Sequence, residues 1–446
     1  MWARYPGDGT TVDILIGMSQ PAQSSRWEVA QILPLPSPQS LKPGQRNETI
    51  RRANLAAVVR EIHRHGALPR SEIAVRTGLT RGTIRRLIGE LTRLGLVSER
   101  SSAALGSPGR PSSVVEPCKL GAVVLAIEIA VDSLAVAVVG FGGKVLGTVR
   151  IDRPRGRTSV DLTISDLFEI VERLLERTST REALVGIGVG VDGIVRRSDG
   201  LVHLAPNLDW REVPLGELLA EALGSTVPLV VANGADLGAL AEHRRGAAVL
   251  ADNVIFFTGE VGVGSGVIVD GRPLLGVAGY AGEVGHMPVN PDGVACRCGS
   301  FGCLETELGE GALLVRAGHV ASDGRSAVDR LLVEAAVGVP AALSALETSG
   351  RWLGVGLATL INVFNPEVIV LGGLFGRLHP FIAASMEAEL DRRALRPSRE
   401  CVRVVPSALG IDAILIGAAE LAFEPLLSDP IQWTPPRVAP SIPQAV

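Results

Sequence analysis

Gly282-Glu283-Val284-Gly285-His286 and, after a short loop, Cys296-Arg297-Cys298-Gly299-Ser300-Phe301-Gly302-Cys303-Leu304-Glu305 form the most constrained stretch of this chain. One histidine and three cysteines with short loops between them make a tetrahedral Zn2+ ligand set: His286, Cys296, Cys298 and Cys303. Protein fills all four positions, so the metal is expected to be structural rather than catalytic. Gly299 and Gly302 let the chain turn tightly around the ion. Buried unliganded thiols, or a redox pair, are the alternative reading of the same residues. The chain holds five cysteines in all, too few and too clustered for a disulfide scaffold, and a reducing cytoplasm is the simpler compartment.

Around this loop, from Ala122 onward, apolar strands alternate with helices. Strands are expected at Val123–Ile129, Leu134–Val139, Leu184–Val191, Leu229–Ala232, Val254–Phe257, Gly266–Val269 and Val368–Leu371. Helices are expected around Asp161–Arg177, Leu215–Ala222, Ala235–Glu242 and Ala327–Val337. Alternation of this kind predicts an α/β fold with its ligand at the strand ends. The most apolar stretch, Leu120 to Gly143, contains Glu128 and Asp132 and reads as two buried strands rather than a membrane span. The N-terminus lacks the basic flank of a secretory signal.

The chain is 446 residues long, more than one compact core accommodates, and its 46% hydrophobic content excludes wholesale disorder. Its formal charge of −4 hides an asymmetry. Residues 46–110 hold 13 Arg and 5 Glu, a net of +8, which leaves −12 for the remainder. A short basic module is fused to a long acidic one.

Three helical patterns run through the basic module. Leu55, Val58, Val59 and Ile62 recur at helical spacing and Gly66 ends that helix. Ser71 is the expected N-cap of a short second helix that Gly78 terminates, and Thr80 caps a third with an Ile84, Ile88 and Leu91 stripe. This is a helix-turn-helix, whose second helix would enter the DNA major groove. The stripe leaves Arg81, Thr83, Arg85 and Arg86 free to meet base edges and phosphates. A strand-like exit from Gly95 to Glu99, then Gly109-Arg110-Pro111 in a Gly/Ser/Pro loop, gives the pattern of a β-wing. Its Arg110 could reach a narrow minor groove. A solvated arginine-rich helical bundle is the bland alternative. Residues 1–45 read as a flexible leader, in which Met18 is an alternative start, and 429–446 as a Pro-rich tail.

Gly262-Val263-Gly264-Ser265-Gly266, Gly276, Gly282 and Gly285-His286 follow the spacing of the ROK signature, named for repressors, open reading frames and sugar kinases. The cysteine cluster and Asn365-Pro366-Glu367-Val368-Ile369-Val370-Leu371-Gly372-Gly373 fit it as well. Residues 120–425 thus resemble the ROK family, and 46–118 resemble the winged helix-turn-helix of bacterial repressors. The resemblance implies an actin-like, ribonuclease-H-like ATPase-type fold, two α/β lobes around a sugar cleft, assembled as a homodimer or dimer of dimers. The domains expected are therefore a leader (1–45), a winged helix (46–118), a two-lobe ROK unit (119–428) and a tail (429–446).

ROK kinases place a general base second in an Asn-Asp-Ala-Asn motif. The equivalent here is Asn233-Gly234-Ala235-Asp236, and glycine takes no proton. The first phosphate loop, Asp-x-Gly-x-Thr in the family, reads Glu128-Ile129-Ala130-Val131-Asp132. The second, Gly-Thr-Gly-x-Gly, reads Glu260-Val261-Gly262-Val263-Gly264. Carboxylates in such loops repel a polyphosphate. Phosphoryl transfer and ATP binding are therefore not expected. Resemblance assigns sugar hydroxyl contacts to Asn207, Asn233, Glu283, His286 and Glu305, all present, with His286 serving both metal and sugar. The expected function is a catalytically silent, sugar-responsive transcriptional regulator in the cytoplasm. Its partners would be operator DNA and a small sugar, with no membrane. The competing reading is an ATP-dependent sugar kinase with an appended DNA-binding domain.

Overall fold

The computed structural model describes residues 43–101, 113–118, 121–156, 159–224 and 226–433. The basic module comprises α1 (Pro43–His65), β1 (Leu68–Pro69), α2 (Arg70–Thr77), α3 (Arg81–Arg93), β2 (Val97–Ser101) and β3 (Ser113–Pro117). Leu55, Val58, Val59 and Ile62 of α1 meet Ile73 of α2 and Ile84, Leu87, Ile88 and Leu91 of α3 in a sealed core. Gly66 stops α1 in the left-handed region, at φ 72°. Gly78 does the same for α2, and Thr80 caps α3 by accepting a hydrogen bond from the Thr83 amide. The three strands pair in the order β1-β3-β2, and Pro117 is the last residue of β3.

The structure departs from the sequence pattern at three places. The N-cap of α2 is Pro69 rather than Ser71, because β1 is paired through Pro69 to Val114 and delivers the chain straight into the helix. The leader expected through residue 45 ends earlier, since α1 begins at Pro43. The tail expected from Asp429 onward starts with a 3-10 turn at Pro430–Gln432, and Trp433 Nε1 donates to Leu94 O at 3.2 Å. The rest of leader and tail, and the wing tip with Arg110, lie outside the described residues.

The first lobe is built on β4 (Val123–Ile129), β5 (Ser133–Gly140), β6 (Lys144–Asp152), β7 (Leu184–Val191) and, after three short strands, β11 (Leu229–Asn233). The three, β8 (Ile194–Arg196), β9 (Leu201–Ala205) and β10 (Trp210–Val213), form a small antiparallel sheet of their own. The main sheet runs β11-β7-β4-β5-β6, with β11, β7 and β4 parallel, and is covered by α4 (Val160–Thr178) and α5 (Leu215–Ala222). After α6 (Gly234–Arg245) the second lobe forms the sheet β14-β13-β12-β15-β16. Its strands are β12 (Val254–Gly259), β13 (Val263–Val269), β14 (Arg272–Pro273), β15 (Val368–Gly372) and β16 (Arg403–Pro406). Its helices are α7 (Leu304–Leu308), α8 (Glu310–Arg316), α9 (Gly324–Ala336), α10 (Pro340–Phe364), α11 (Gly373–Arg393) and α12 (Arg396–Cys401).

The chain then returns to the first lobe as α13 (Ala413–Ser428), which lies on β4 and β7 and against α6. Two glycines make that layer possible. A Cβ on Gly188 of β7 would sit 2.0 Å from Ala418 O, and one on Gly417 would sit 1.9 Å from Leu237 O. Backbone therefore meets backbone on both sides of α13. The fold is the two-lobe α/β architecture expected, preceded by a winged helix. No single helix among the described residues is long and apolar enough to cross a membrane.

The winged helix is docked on the first lobe. His63, Phe141 and Phe423 stack with ring centroids 4.8–6.4 Å apart. Arg60 donates to Ser428 Oγ at 3.1 Å, and Arg52 pairs with Asp429 at the same distance.

Candidate functional site

Parallel strands end at the cleft, so the residues after β7 and β11 face it. Asn233 closes β11 and caps α6, its Oδ1 accepting from the Ala235 amide at 2.7 Å while its Nδ2 donates to Gly193 O at 2.9 Å. Much of its amide is thus committed to the scaffold. Glu305, at the start of α7, accepts from the Val263 amide at 3.0 Å. A Cβ on Gly262 would lie 2.8 Å from Glu305 Oε2 and 3.1 Å from Asn207 Nδ2, so both side chains converge on this glycine. Glu283 precedes a 3-10 turn at Val284–His286, of which His286 is the last residue. Burial pushes the Glu283 carboxyl up, against the pull of His286 and with the push of Glu305.

Arg297, between Cys296 and Cys298, donates from Nη1 to Asn207 Oδ1 at 2.7 Å. Ligand spacing singles out the cysteines and carries no signal for the arginine between them.

His286, Cys296, Cys298 and Cys303 bring one donor atom each to within 4.8 Å of one another. Two Zn–S bonds of about 2.3 Å at a tetrahedral angle set sulfurs about 3.8 Å apart. Cys298 and Cys303 are 3.8 Å apart, and Cys296 Sγ lies 3.7 Å from His286 Nδ1. Burial, then Cys296 and Cys298, push the Cys303 thiol up to about 12, and a cation at the centre of the cluster would be what stabilises its thiolate. Nδ1 is the ring nitrogen turned to the sulfurs, which leaves Nε2 for another partner.

At the other end of the cleft, the two loops that resemble phosphate loops are tied to arginines. Asp132 accepts from Arg155 at 2.9 Å and from Arg325 at 3.3 Å. Arg155 also pairs with Glu310, and Arg325 with Glu260 at 3.8 Å. Glu128 pairs with Arg150 at 3.0 Å. Asp132 and Arg155 belong to the first lobe, and Glu310, Arg325 and Glu260 to the second, so the pairs clasp one lobe to the other. Burial pushes Glu260 up to about 7; Arg325 opposes this, and Asp132, Glu310 and Glu128 reinforce it.

On α3 the side chains of Arg81, Arg85 and Arg86 are exposed and have no hydrogen bond or ion pair among the described residues. Neighbouring arginines are paired instead: Arg76 with Glu72 at 2.8 Å, and Arg51 with Glu48 and Glu90. Thr83 is half-buried and its hydroxyl lies 3.0 Å from that of Thr80, within the helix cap.

Residues 124–424 match the ROK family, and residues 60–101 match the IclR helix-turn-helix domain. The chain belongs to the ROK family. The xylose repressor of Bacillus subtilis is 28% identical over 381 residues, spanning 85% of this chain and 97% of the repressor. The glucokinase of Streptomyces coelicolor is 30% identical over 324 residues, spanning 69% of this chain and 98% of the kinase. Among solved structures, a ROK family transcriptional regulator homologous to the E. coli Mlc protein superposes with a TM-score of 0.70 at 27% identity. That match covers 85% of this chain and 97% of the regulator.

Gly234, where the sequence resemblance would set the general base of ROK kinases, is the first residue of α6. A Cβ there would stand 2.8 Å from Asp192 Oδ1. Burial, then Glu128, Glu260 and Asp132, push Asp192 up to about 7. Asp236, two residues further on, is buried, and burial raises it to about 7 despite Arg197.

Proposed function

We propose that this ROK chain is a sugar-responsive transcriptional repressor whose kinase-like unit senses a sugar without phosphorylating it. The observation that carries this reading is the state of the phosphate end of the cleft. Asp132, Glu260 and Glu310 and their arginines fill it with an ion-pair clasp, and Gly234 offers no base. A nucleotide polyphosphate would have to displace that clasp and face its carboxylates. Arg81, Arg85 and Arg86, without partners among the described residues, give α3 a surface suited to the major groove, and the sequence pattern adds Arg110 as a further contact.

Asn207, Asn233, Glu283, His286 and Glu305 supply the donors and acceptors that polyol hydroxyls need. His286, Cys296, Cys298 and Cys303 would hold a structural zinc, which neutralises the thiolates and fixes the loop that carries Arg297. Helix α6 links the two functions. Its first residues lie in the cleft beside Asn233, and its last, Arg245, donates to His63 O at 3.1 Å in the DNA-binding unit. A sugar that binds two lobe arrangements with different affinity would thereby shift the pose of α1. The protein would act on operator DNA as a cytoplasmic homodimer or dimer of dimers, with sugar releasing it.

The test pairs two measurements on the purified chain. Fluorescence anisotropy with DNA from its own upstream region, titrated with D-xylose, D-glucose and N-acetyl-D-glucosamine, should show tight binding weakened by one of the sugars. A coupled ATP assay with the same sugars should show no turnover. Turnover that disappears in Glu283→Gln would instead establish a kinase with an appended DNA-binding unit.

A further inference from the structure

Gly234 leaves a gap in the cleft, and a different carboxylate fills it. Asp192 leaves the end of β7 beside Asn233, and its Oδ1 is 2.8 Å from the point where a side chain at position 234 would begin. The turn that holds it is fixed from two sides. Asn233 Nδ2 donates to Gly193 O at 2.9 Å, and a Cβ on Gly193 would lie 2.7 Å from Leu204 O. Asp192 itself has no hydrogen bond or ion pair among the described residues, unlike Asp132, Glu128 and Glu310 around it. An acceptor that is fixed, near other site residues and uncommitted is equipped for a ligand hydroxyl.

Its surroundings also define what the ligand cannot be. The groups whose fields reach Asp192 are the carboxylates of Glu128, Glu260 and Asp132. The arginines nearest to them, Arg150, Arg155 and Arg325, are already engaged in ion pairs. No cation faces Asp192 uncommitted among the described residues, so a phosphate group brought here meets repulsion from several directions.

We propose that Asp192 is a ligand-recognition residue that accepts hydrogen bonds from an uncharged, unphosphorylated sugar, and that it makes the sensor reject sugar phosphates. This rests on the sugar-sensing reading above. It assigns to the β7–β8 turn the carboxylate that the α6 terminus lacks.

The experiment is isothermal titration calorimetry of the full-length protein with D-glucose, D-xylose and N-acetyl-D-glucosamine, and with D-glucose 6-phosphate and N-acetyl-D-glucosamine 6-phosphate. Wild type should bind a free sugar and bind its phosphate at least tenfold more weakly. The isosteric Asp192→Asn should lose about tenfold in free-sugar affinity, the scale of a hydrogen bond to a charged group, and should narrow the gap to the phosphate. Thermal melts of each variant report folding separately. Moving the carboxylate provides a second arm. Gly234→Asp alone should bind poorly, because its Cβ would crowd Asp192, whereas the Asp192→Gly/Gly234→Asp double variant should recover to within about threefold of wild type. A wild type that prefers the phosphate overturns the proposal. So does an Asp192→Asn affinity equal to wild type when Glu283→Gln abolishes binding, which leaves the sensing reading intact. Absence of binding by every sugar and sugar phosphate removes both.

Discussion

Arg297, flanked by two cysteines of the metal-ligand set, holds the Asn207 amide oxygen at 2.7 Å and so ties the metal loop to the cleft. The contact makes a prediction about metal removal. Chelation should strip zinc, as elemental analysis before and after would record, and lower the melting temperature. It should also weaken sugar binding, although only His286 among the ligands is expected to touch sugar. Arg297→Ala should reproduce the loss in sugar affinity, by about tenfold, with zinc content and melting temperature close to wild type. Equal sugar affinity in Arg297→Ala would mean that Asn207 needs no brace.

The interlobe clasp predicts asymmetric mutational costs. Arg155 joins Asp132 to Glu310, whose side chain is only 5% exposed. Arg155→Ala leaves the buried Glu310 carboxylate without its cation, and Asp132 with Arg325 alone, and should cost about 3–5 kcal/mol in urea unfolding. Adding Asp132→Asn and Glu310→Gln should return most of that loss, because neutral partners need no cation. None of these variants should gain ATP turnover.

Much of this architecture is legible in the amino-acid order, and the parts that are not share a physical cause. Val123–Ile129 and Val368–Gly372 stand out as apolar runs because parallel strands buried on both faces need them. The cysteine loop stands out because a metal site would demand four ligands at short range. Helix α13 shows no amphipathic stripe, since it is sandwiched between β7 and α6 and is apolar nearly all round. Helix α10 carries Gly350, Gly354 and Gly356, which look like breaks. Yet Gly354 is there because a Cβ would meet Met386 O of α11 at 2.6 Å. Asp192 and Arg297 belong to no motif, and only the folded geometry sets one against Gly234 and the other against Asn207.

The α3 surface predicts which arginines matter for DNA. Arg81, Arg85 and Arg86 have no partner among the described residues, so each has its full charge available. Arg85→Ala should weaken operator binding by about tenfold and, where the contact is to phosphate, flatten the salt dependence by about one unit of slope. Arg76→Ala removes an arginine already paired with Glu72 and should change little. Anisotropy titrations at several salt concentrations distinguish the two outcomes.

Burial raises Asp236 to about 7, well above its usual value of 3.8. A carboxyl raised on folding stabilises the native state while it stays protonated, and that contribution is lost as pH rises through about 7. Wild-type stability should therefore fall between about pH 4 and pH 7 and level off above that. Asp236→Asn should remove part of that slope and gain on the order of 3 kcal/mol at pH 8, with little change at pH 4. The ROK kinase motif has asparagine at this position, so the substitution suits the site. Urea unfolding at each pH reads the effect, and parallel curves for the two proteins would contradict it.

Glu420 on α13 is where sensing and DNA binding should be separable. Its side chain is 3% exposed and receives His63 Nε2 at 3.2 Å, Arg244 at 3.4 Å and Arg245 as well. Gly142 N donates to His63 Nδ1 at 3.1 Å, which fixes that ring as the neutral tautomer with its proton on Nε2. Burial also lowers the His63 pKa, so the ring stays neutral at physiological pH. Burial opposes the Glu420 charge, but the hydrogen bond from His63 and the fields of Arg245 and Arg244 outweigh it and hold the carboxyl well below its usual range. Helix α6 has 12 residues, about 18 Å of rigid backbone, and this carboxylate anchors its far end to α1. Glu420→Gln keeps the shape and removes the charge that holds Arg244 and Arg245 against α1, leaving only the bond from Arg245 to His63 O. Sugar affinity and operator affinity, each measured alone, should stay within about threefold of wild type. The ratio of operator affinities without and with sugar should collapse toward one, because the ends of α6 no longer move the winged helix. A ratio equal to that of wild type would place the coupling elsewhere, through the interlobe clasp or the partner protomer.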